Sequence, residues 1–138
     1  MKIIKFQKRE KFKYKRKVII KDLTLKILVG IHNFEKKKKQ RVKFNIEILT
    51  NPYVTPNNKN LNSILNYEEI VNLVIKFVNT ESYDLIETLA KQISEQIVFK
   101  YAENESVLQE IKVTVHKPDT ILKDRTEGIS VSYREEFK

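Results

Sequence analysis

Hydrophobic and polar residues alternate most regularly between Arg41 and Leu49. The apolar positions are Val42, Phe44, Ile46 and Ile48, and the residues between them are Lys43, Asn45 and Glu47. A period of two is typical of a strand with one buried face. The same alternation recurs at 111–116 and 129–134, and residues 18–29 are rich in β-branched side chains. We therefore predict four strands, the first two forming an antiparallel hairpin because residues 30–40 turn the chain back.

Two segments in the middle of the chain have helical spacing instead. Asn66, with Glu69 three residues later, is a capping pair in front of the apolar positions Ile70, Val74, Phe77 and Val78. Asp84 and Glu87 repeat this pattern in front of a second apolar face made by Leu85, Leu89, Ile93 and Ile97. Residues 51–62 contain Pro52, Pro56 and several Asn without any periodicity, which predicts a loop.

The predicted order is ββααββ, an α+β domain. One four-stranded antiparallel sheet with both helices on its apolar face accounts for the pattern, because the other face of the strands reads as uniformly polar. Such a sheet has two unpaired edges and an uncovered polar face. Proteins usually protect sheet edges by pairing or closure, so we expect the domain to assemble with copies of itself into an oligomeric β-barrel.

The net charge of +9 over 138 residues is concentrated at the N-terminus. Residues 1–17 contain nine Lys or Arg and one acidic residue, whereas residues 18–138 contain 18 basic and 17 acidic residues. We therefore divide the chain into a flexible basic arm, 1–17, and a domain, 18–138. Such an arm suits RNA or an anionic surface, but a solvated tail is the preferred interpretation. Lys36–Lys39 is interpreted as the solvated tip of the first hairpin.

Composition excludes several kinds of chemistry. The chain has no Cys, which removes disulfides, thiolate metal sites and thiol nucleophiles. His32 and His116 are its two histidines, whereas catalytic zinc usually takes three protein ligands. With Gly30 and Gly128 as its two glycines, it has no Gly-rich phosphate loop. No metal and no cofactor are expected. No apolar run reaches the roughly 20 residues of a membrane span, and no secretory signal is recognisable, so a cytoplasmic location is expected.

Four short segments, taken in order, resemble the dihydroneopterin aldolase family. They are Val29-Gly30-Ile31-His32-Asn33-Phe34-Glu35, Leu65-Asn66-Tyr67, Asp84-Leu85-Ile86-Glu87-Thr88-Leu89-Ala90 and Val113-Thr114-Val115-His116-Lys117-Pro118. The resemblance covers roughly residues 18–135. It implies a tunnelling-fold subunit, four of which close a sixteen-stranded barrel, with two rings usually stacked into an octamer. It also implies pockets between neighbouring subunits.

The resemblance gives roles to residues that the pattern alone would not select. Glu87 reads as a helix-capping residue, but in the family this glutamate anchors the pterin. Lys117 reads as one solvated lysine among many, but the family assigns it the acid–base role without a Schiff base. Tyr67 reads as a packing residue, and the resemblance makes it a catalytic partner contributed by the neighbouring subunit. Glu35 would merely balance nearby lysines, whereas by resemblance it faces the catalytic lysine and the substrate side chain.

Two further residues, Leu65 and Ile86, are expected to contact the pterin through their backbones. The implied reaction is a retro-aldol cleavage in folate biosynthesis, which converts 7,8-dihydroneopterin into 6-hydroxymethyl-7,8-dihydropterin and glycolaldehyde, with possible epimerisation. The nearest alternative is a dihydroneopterin triphosphate epimerase, for which the Lys36–Lys39 cluster would suit the phosphates. A second alternative is a basic-armed nucleic-acid-binding protein on an inactive tunnelling-fold core.

Overall fold

The predicted order of elements, ββααββ, is confirmed. The computed structural model describes residues 15–50, 65–101, 108–120 and 122–137. The elements are β1 (Arg16–Ile27), β2 (Gln40–Thr50), α1 (Tyr67–Val78), α2 (Ile86–Lys100), β3 (Leu108–Lys117) and β4 (Ile129–Glu136). The strands form one sheet in the order β1-β2-β3-β4, and every neighbouring pair is antiparallel.

One face of the sheet and both helices enclose the hydrophobic core. The alternating apolar residues of β2 and β3 are all on this face and are completely buried: Val42, Phe44, Ile46, Ile48, Ile111, Val113 and Val115. The buried helix residues include Ile70 and Val74 of α1 and Leu89, Ile93 and Ile97 of α2. Helix α2 packs on β3 and β4, and α1 packs on β1 and α2. Each buried aliphatic side chain contributes about 1.5–3 kcal/mol, so the alternating pattern determines which face turns inward.

The opposite face of the sheet is largely polar. Glu47 in β2 lies 3.5 Å from the Lys17 ammonium of β1 and 3.7 Å from that of Lys112 in β3. The prediction that this face is uniformly polar was wrong at two positions, because Ile19 and Leu49 share it with these charges by strand register. Ile19 is 56% exposed, which adds an apolar group to the edge strand β1.

The two predicted helix caps have different outcomes. Asn66 is the cap of α1, and its side chain accepts hydrogen bonds from the backbone N–H groups of Glu68 and Glu69. The prediction that Asp84 caps α2 was wrong. Leu85 occupies the capping position without a side-chain hydrogen bond, so α2 begins at Ile86 and Glu87 is its second residue. The Asp84 carboxylate instead lies 3.7 Å from the Lys36 ammonium.

A bulge interrupts β1, where Lys21 and Asp22 together oppose Asn45 of β2. Asp22 has a φ of 52°, in the left-handed region that few residues other than Gly, Asn and Asp adopt. The Asn45 side chain accepts the Asp22 N–H at 2.9 Å and donates to the Asp22 carboxylate at 3.3 Å. The side chain opposite the bulge thus satisfies the backbone group that the extra residue leaves unpaired.

Two predictions concern residues outside the described ranges: the loop at 51–62 and most of the basic arm. Strand β1 begins at Arg16, so the last two residues of the predicted arm belong to the sheet. The arm's flexibility stays a prediction. Within the described residues, neither helix is long and apolar enough to cross a membrane.

Candidate active site

Two backbone hydrogen bonds join the chain that leaves β1 to the chain that enters α2. Tyr83 N–H donates to the Leu28 carbonyl at 3.1 Å, and Gly30 N–H donates to the Tyr83 carbonyl at 2.9 Å. Val29 and Tyr83 thereby form a short parallel bridge, and both side chains are buried. The bridge places the turn after β1, which contains Glu35, beside the first residues of α2.

The last residue of β3 completes this arrangement. The Lys117 ammonium lies 2.8 Å from Glu35 Oε2, although 82 positions separate the two residues in the sequence. Only 7% of the Glu35 side chain and 14% of the Lys117 side chain are exposed. A buried charge is tolerated when it is paired and hydrogen-bonded, so the two groups depend on each other.

Three donors among the described residues hold the Glu35 carboxylate. Oε2 accepts from the Lys117 ammonium and, at 3.2 Å, from the Gln40 side-chain amide, while Oε1 accepts from the His32 N–H at 3.3 Å. Burial by itself raises the pKa of Glu35. The hydrogen bonds from Lys117, Gln40 and His32 outweigh that effect, and the pKa lies below its usual value. Glu35 is therefore a carboxylate at neutral pH.

Gly30 makes room for this carboxylate. Its φ is 132°, and a Cβ built on it would overlap the Glu35 carboxyl group. A larger residue would have to displace Glu35 and would also be strained in its backbone. Gly128, just before β4, has a φ of 134°, and a Cβ there would approach His116 Cε1 to 2.6 Å.

An open pocket of about 220 Å³ lies above the ion pair. Its polar and small residues are Gly30, His32, Glu35, Asp84, Glu87, Lys117 and Thr120, and its apolar residues are Ile31, Leu85, Ile86, Leu122 and Ile129. Four of the apolar side chains are between 41% and 60% exposed: Ile31, Leu85, Leu122 and Ile129. Exposed apolar groups around a few convergent polar ones are typical of a small-molecule site.

Glu87 presents a second carboxylate to this pocket. It lies in the first turn of α2, where the helix dipole favours negative charge. Its side chain is without a hydrogen bond or ion pair to any other residue in the described part of the chain, in contrast to the fully satisfied Glu35. This carboxylate is therefore available to accept hydrogen bonds from a ligand.

The structure brings four of the six predicted site residues together and leaves two apart. Glu35, Ile86, Glu87 and Lys117 line the same pocket. Tyr67, the first residue of α1, is 60% exposed and does not line it, and Leu65 is buried in the core.

Sequence reasoning missed several residues of the site. Gln40 had no signal beyond its place at the start of β2, since its role depends on the fold of the preceding turn. Thr120 follows Lys117-Pro118-Asp119, and its hydroxyl accepts the Leu122 N–H at 3.0 Å, which shapes the loop between β3 and β4. Ile129 reaches the pocket because it is the register partner of Lys117, and its alternating pattern predicted only that it belongs to a strand.

Known proteins resemble this chain over most of its length. The family model for dihydroneopterin aldolase, FolB, matches residues 18–134. The chain belongs to the dihydroneopterin aldolase family. A Haemophilus influenzae dihydroneopterin aldolase is 24% identical over 115 residues, which cover 83% of this chain and 93% of the relative. The family, the enzyme class and the aldolase function predicted from the sequence are therefore confirmed.

Solved structures of dihydroneopterin aldolases share the fold. The Vibrio cholerae FolB protein superimposes with a TM-score of 0.77 at 18% identity, covering 91% of this chain and 100% of the other. The Escherichia coli enzyme in complex with neopterin gives 0.70 at 20% identity, with 87% and 98% covered. The Burkholderia enzyme bound to guanine gives 0.70 at 18% identity, with 90% and 93% covered. These structures confirm the tunnelling-fold subunit.

Proposed function

We propose that the pocket between the turn after β1, the start of α2 and the end of β3 binds 7,8-dihydroneopterin and cleaves its side chain. The observation that carries this proposal is the buried Lys117–Glu35 pair, 2.8 Å between charged atoms, in the same pocket as the Glu87 carboxylate, which has no partner among the described residues. One carboxylate is free to bind a ligand, and the other is engaged with the amine that would move protons. The two acidic residues therefore have different roles.

Glu87 is proposed to anchor the ring. Neopterin and guanine, which are bound in two structures of relatives, both present an amide N–H next to an amino group. A carboxylate accepts two parallel hydrogen bonds from such an edge. The apolar side chains of Leu85 and Leu122 line the same pocket and offer surfaces for a flat ring. Ile86 and, from a neighbouring subunit, Leu65 are proposed to add backbone contacts.

Lys117 and Glu35 are proposed to move the protons. Cleavage removes the proton of the side-chain hydroxyl, breaks the carbon–carbon bond and passes its electron pair into the C=N bond of the ring. Glycolaldehyde leaves, and the enol-like intermediate takes up a proton to give 6-hydroxymethyl-7,8-dihydropterin. A paired amine and carboxylate offer both a donor and an acceptor for these transfers. Tyr67 of an adjacent subunit is proposed to assist the protonation step.

The proposal includes an oligomer and a cytoplasmic location. Strands β1 and β4 are the edges of the sheet, and Tyr67 lies outside its own chain's pocket. Both observations support a ring in which neighbouring subunits share sites, and two stacked rings would make the octamer.

The decisive experiment is incubation of the purified protein with 7,8-dihydroneopterin and detection of glycolaldehyde. We expect turnover by the wild type, and a loss of about 100-fold or more in kcat for Lys117→Ala with neopterin affinity nearly unchanged. Glu87→Ala is expected to weaken neopterin binding, measured by calorimetry, about 10- to 100-fold. Lys91→Ala and Glu95→Ala are matched controls, because both residues are exposed on α2 outside the pocket. The reverse pattern of effects would refute the assigned roles.

A specific observation favours a second candidate, the epimerisation of dihydroneopterin triphosphate. Lys36 lies at the pocket rim, paired with Asp84, and the three lysines that follow it are exposed. These charges would suit a phosphorylated side chain. Epimer formation without glycolaldehyde, and a preference for the triphosphate over the free pterin, would establish this candidate instead.

A further inference from the structure

Gln40, the first residue of β2, uses both hydrogens of its side-chain amide. Nε2 donates to the Val29 carbonyl at 2.6 Å and to Glu35 Oε2 at 3.2 Å. Because both neighbours are acceptors, the amide nitrogen has to face them. The orientation of the side chain is thereby fixed.

This orientation has a cost. The other end of the amide, Gln40 Oε1, is buried and finds no hydrogen-bond partner among the described residues. Leaving a buried acceptor unpaired is unfavourable, so the two bonds made by Nε2 must be worth more than the one forgone.

The two acceptors belong to different parts of the site. Val29 forms the bridge to Tyr83, which leads directly into the start of α2. Glu35 Oε2 is the same oxygen that receives the Lys117 ammonium. Gln40 therefore ties the ion pair to the bridge that positions α2, and with it to the part of the pocket that contains Glu87.

We propose that Gln40 is a positioning residue for the reaction, acting through Glu35 to hold the Lys117 ammonium at its place in the pocket. The expected effect on kcat rests on the proposed function. The expected effect on Glu35 and Lys117 rests on the geometry alone. Gln40 does not line the pocket. Its effect is on the orientation of the pair.

The electrostatic consequence agrees with this role. The hydrogen bond from Gln40 is one of the interactions that lower the pKa of Glu35 against the effect of burial. The other charged or titratable groups that face the site are Lys117 from β3, His32 and Lys36 from the turn, and Asp84 and Glu87 from the α2 side. Removal of the Gln40 amide leaves all of these in place and raises the pKa of Glu35.

The test compares Gln40→Leu with Gln92→Leu. Gln92 is a matched control, because its side-chain oxygen is also buried without a partner among the described residues but it lies in α2 outside the pocket. Gln40→Leu is expected to lower kcat about tenfold or more through misplacement of the pair, with neopterin affinity within about twofold of wild type. In a carbon-13 NMR titration, the Glu35 carboxyl group should titrate at higher pH than in the wild type. Gln92→Leu should change neither quantity.

Wild-type kcat and an unchanged Glu35 titration in a folded Gln40→Leu protein would overturn the inference. If that variant does not fold, Gln40→Asn replaces it, because the shorter side chain keeps its polarity but cannot reach both acceptors. The NMR titration needs no turnover. A wild type that releases no glycolaldehyde would therefore count against the proposed function alone, while the shift of the Glu35 titration would still decide the role of Gln40.

Discussion

Glu35 and Lys117 form a pair whose members are each costly to bury alone. The pKa of Glu35 lies below its ordinary value of 4.5, because hydrogen bonds from Lys117, Gln40 and His32 outweigh the effect of burial. The ionised carboxylate thus favours the folded state. This contribution is complete above pH 4.5 and is lost as the pH falls through the lower pKa of the folded protein.

The pH dependence of this contribution to stability leads to a prediction for Glu35→Gln. At neutral pH the variant should lose about 1–3 kcal/mol of unfolding free energy, because Lys117 is left with a weaker partner. As the pH falls below 4.5 and through the lower pKa of Glu35 in the folded protein, the difference from the wild type should shrink, since the wild type loses its own carboxylate. Urea unfolding at a series of pH values measures both effects. Glu95→Gln is the control, because Glu95 is exposed on α2 outside the pocket, and it should change the unfolding free energy at neutral pH by less than about 0.5 kcal/mol. A deficit for Glu35→Gln that stays constant with pH would contradict the assignment.

Gly30 has a role in the site that could not be predicted from the sequence. The residue is the second of the Val29-Gly30-Ile31 segment, and its position alone predicts a turn. Its actual role is to leave space for a carboxylate five residues later, which only the folded turn reveals. The Glu35–Lys117 contact could not be predicted from local sequence patterns either, because the two residues are 82 positions apart. Resemblance to a family, rather than periodicity, selected both partners.

At the scale of elements, the starts of the two helices are stabilised by different means. Helix α1 has a side-chain cap, with Asn66 Oδ1 accepting the Glu68 N–H at 3.1 Å. Helix α2 has none, and its approach is set by the Val29–Tyr83 bridge. Alternating and helical patterns predicted the strands and helices well, because burial of one face imposes a fixed period. They misplaced the start of α2, because Asp is a favoured capping residue. The start is instead set by the backbone bridge between Tyr83 and Val29, which are 54 positions apart in the sequence.

The two capping positions can be compared directly. Asn66→Ala should lower the unfolding free energy by about 1 kcal/mol, the usual cost of a lost cap. Asp84→Ala removes only an exposed ion pair with Lys36 and should cost less than about 0.5 kcal/mol. Urea unfolding of both variants at one protein concentration measures this difference. Equal losses would show that Asp84 stabilises α2 after all.

At the scale of the whole molecule, the site described within one chain lacks a proposed participant. Tyr67 lies outside the pocket that contains Lys117. If neighbouring subunits complete each other's sites, Tyr67→Ala and Lys117→Ala should each be inactive, whereas mixed oligomers should regain activity. Random mixing in equal amounts, by unfolding and refolding together, puts an intact Lys117 next to an intact Tyr67 in about a quarter of the sites.

The measurement is glycolaldehyde release by the mixture, compared with the two variants refolded separately. Recovery near a quarter of the wild-type rate supports shared sites, and light scattering on the same samples gives the size of the oligomer. A mixture as inactive as its components, in an oligomer that has exchanged subunits, would place Tyr67 outside the chemistry.

The bridge between Val29 and Tyr83 limits which motions can open the pocket. Its two hydrogen bonds lie between the proposed ring anchor at the start of α2 and the ion pair beneath the turn. A fluctuation that breaks these hydrogen bonds would move the start of α2 away from the ion pair. A fluctuation that leaves them intact would keep the start of α2 and the ion pair in place. We therefore expect substrate to enter and product to leave past the exposed side chains at the pocket mouth, Ile31 and Leu122, while the two hydrogen bonds of the bridge stay closed.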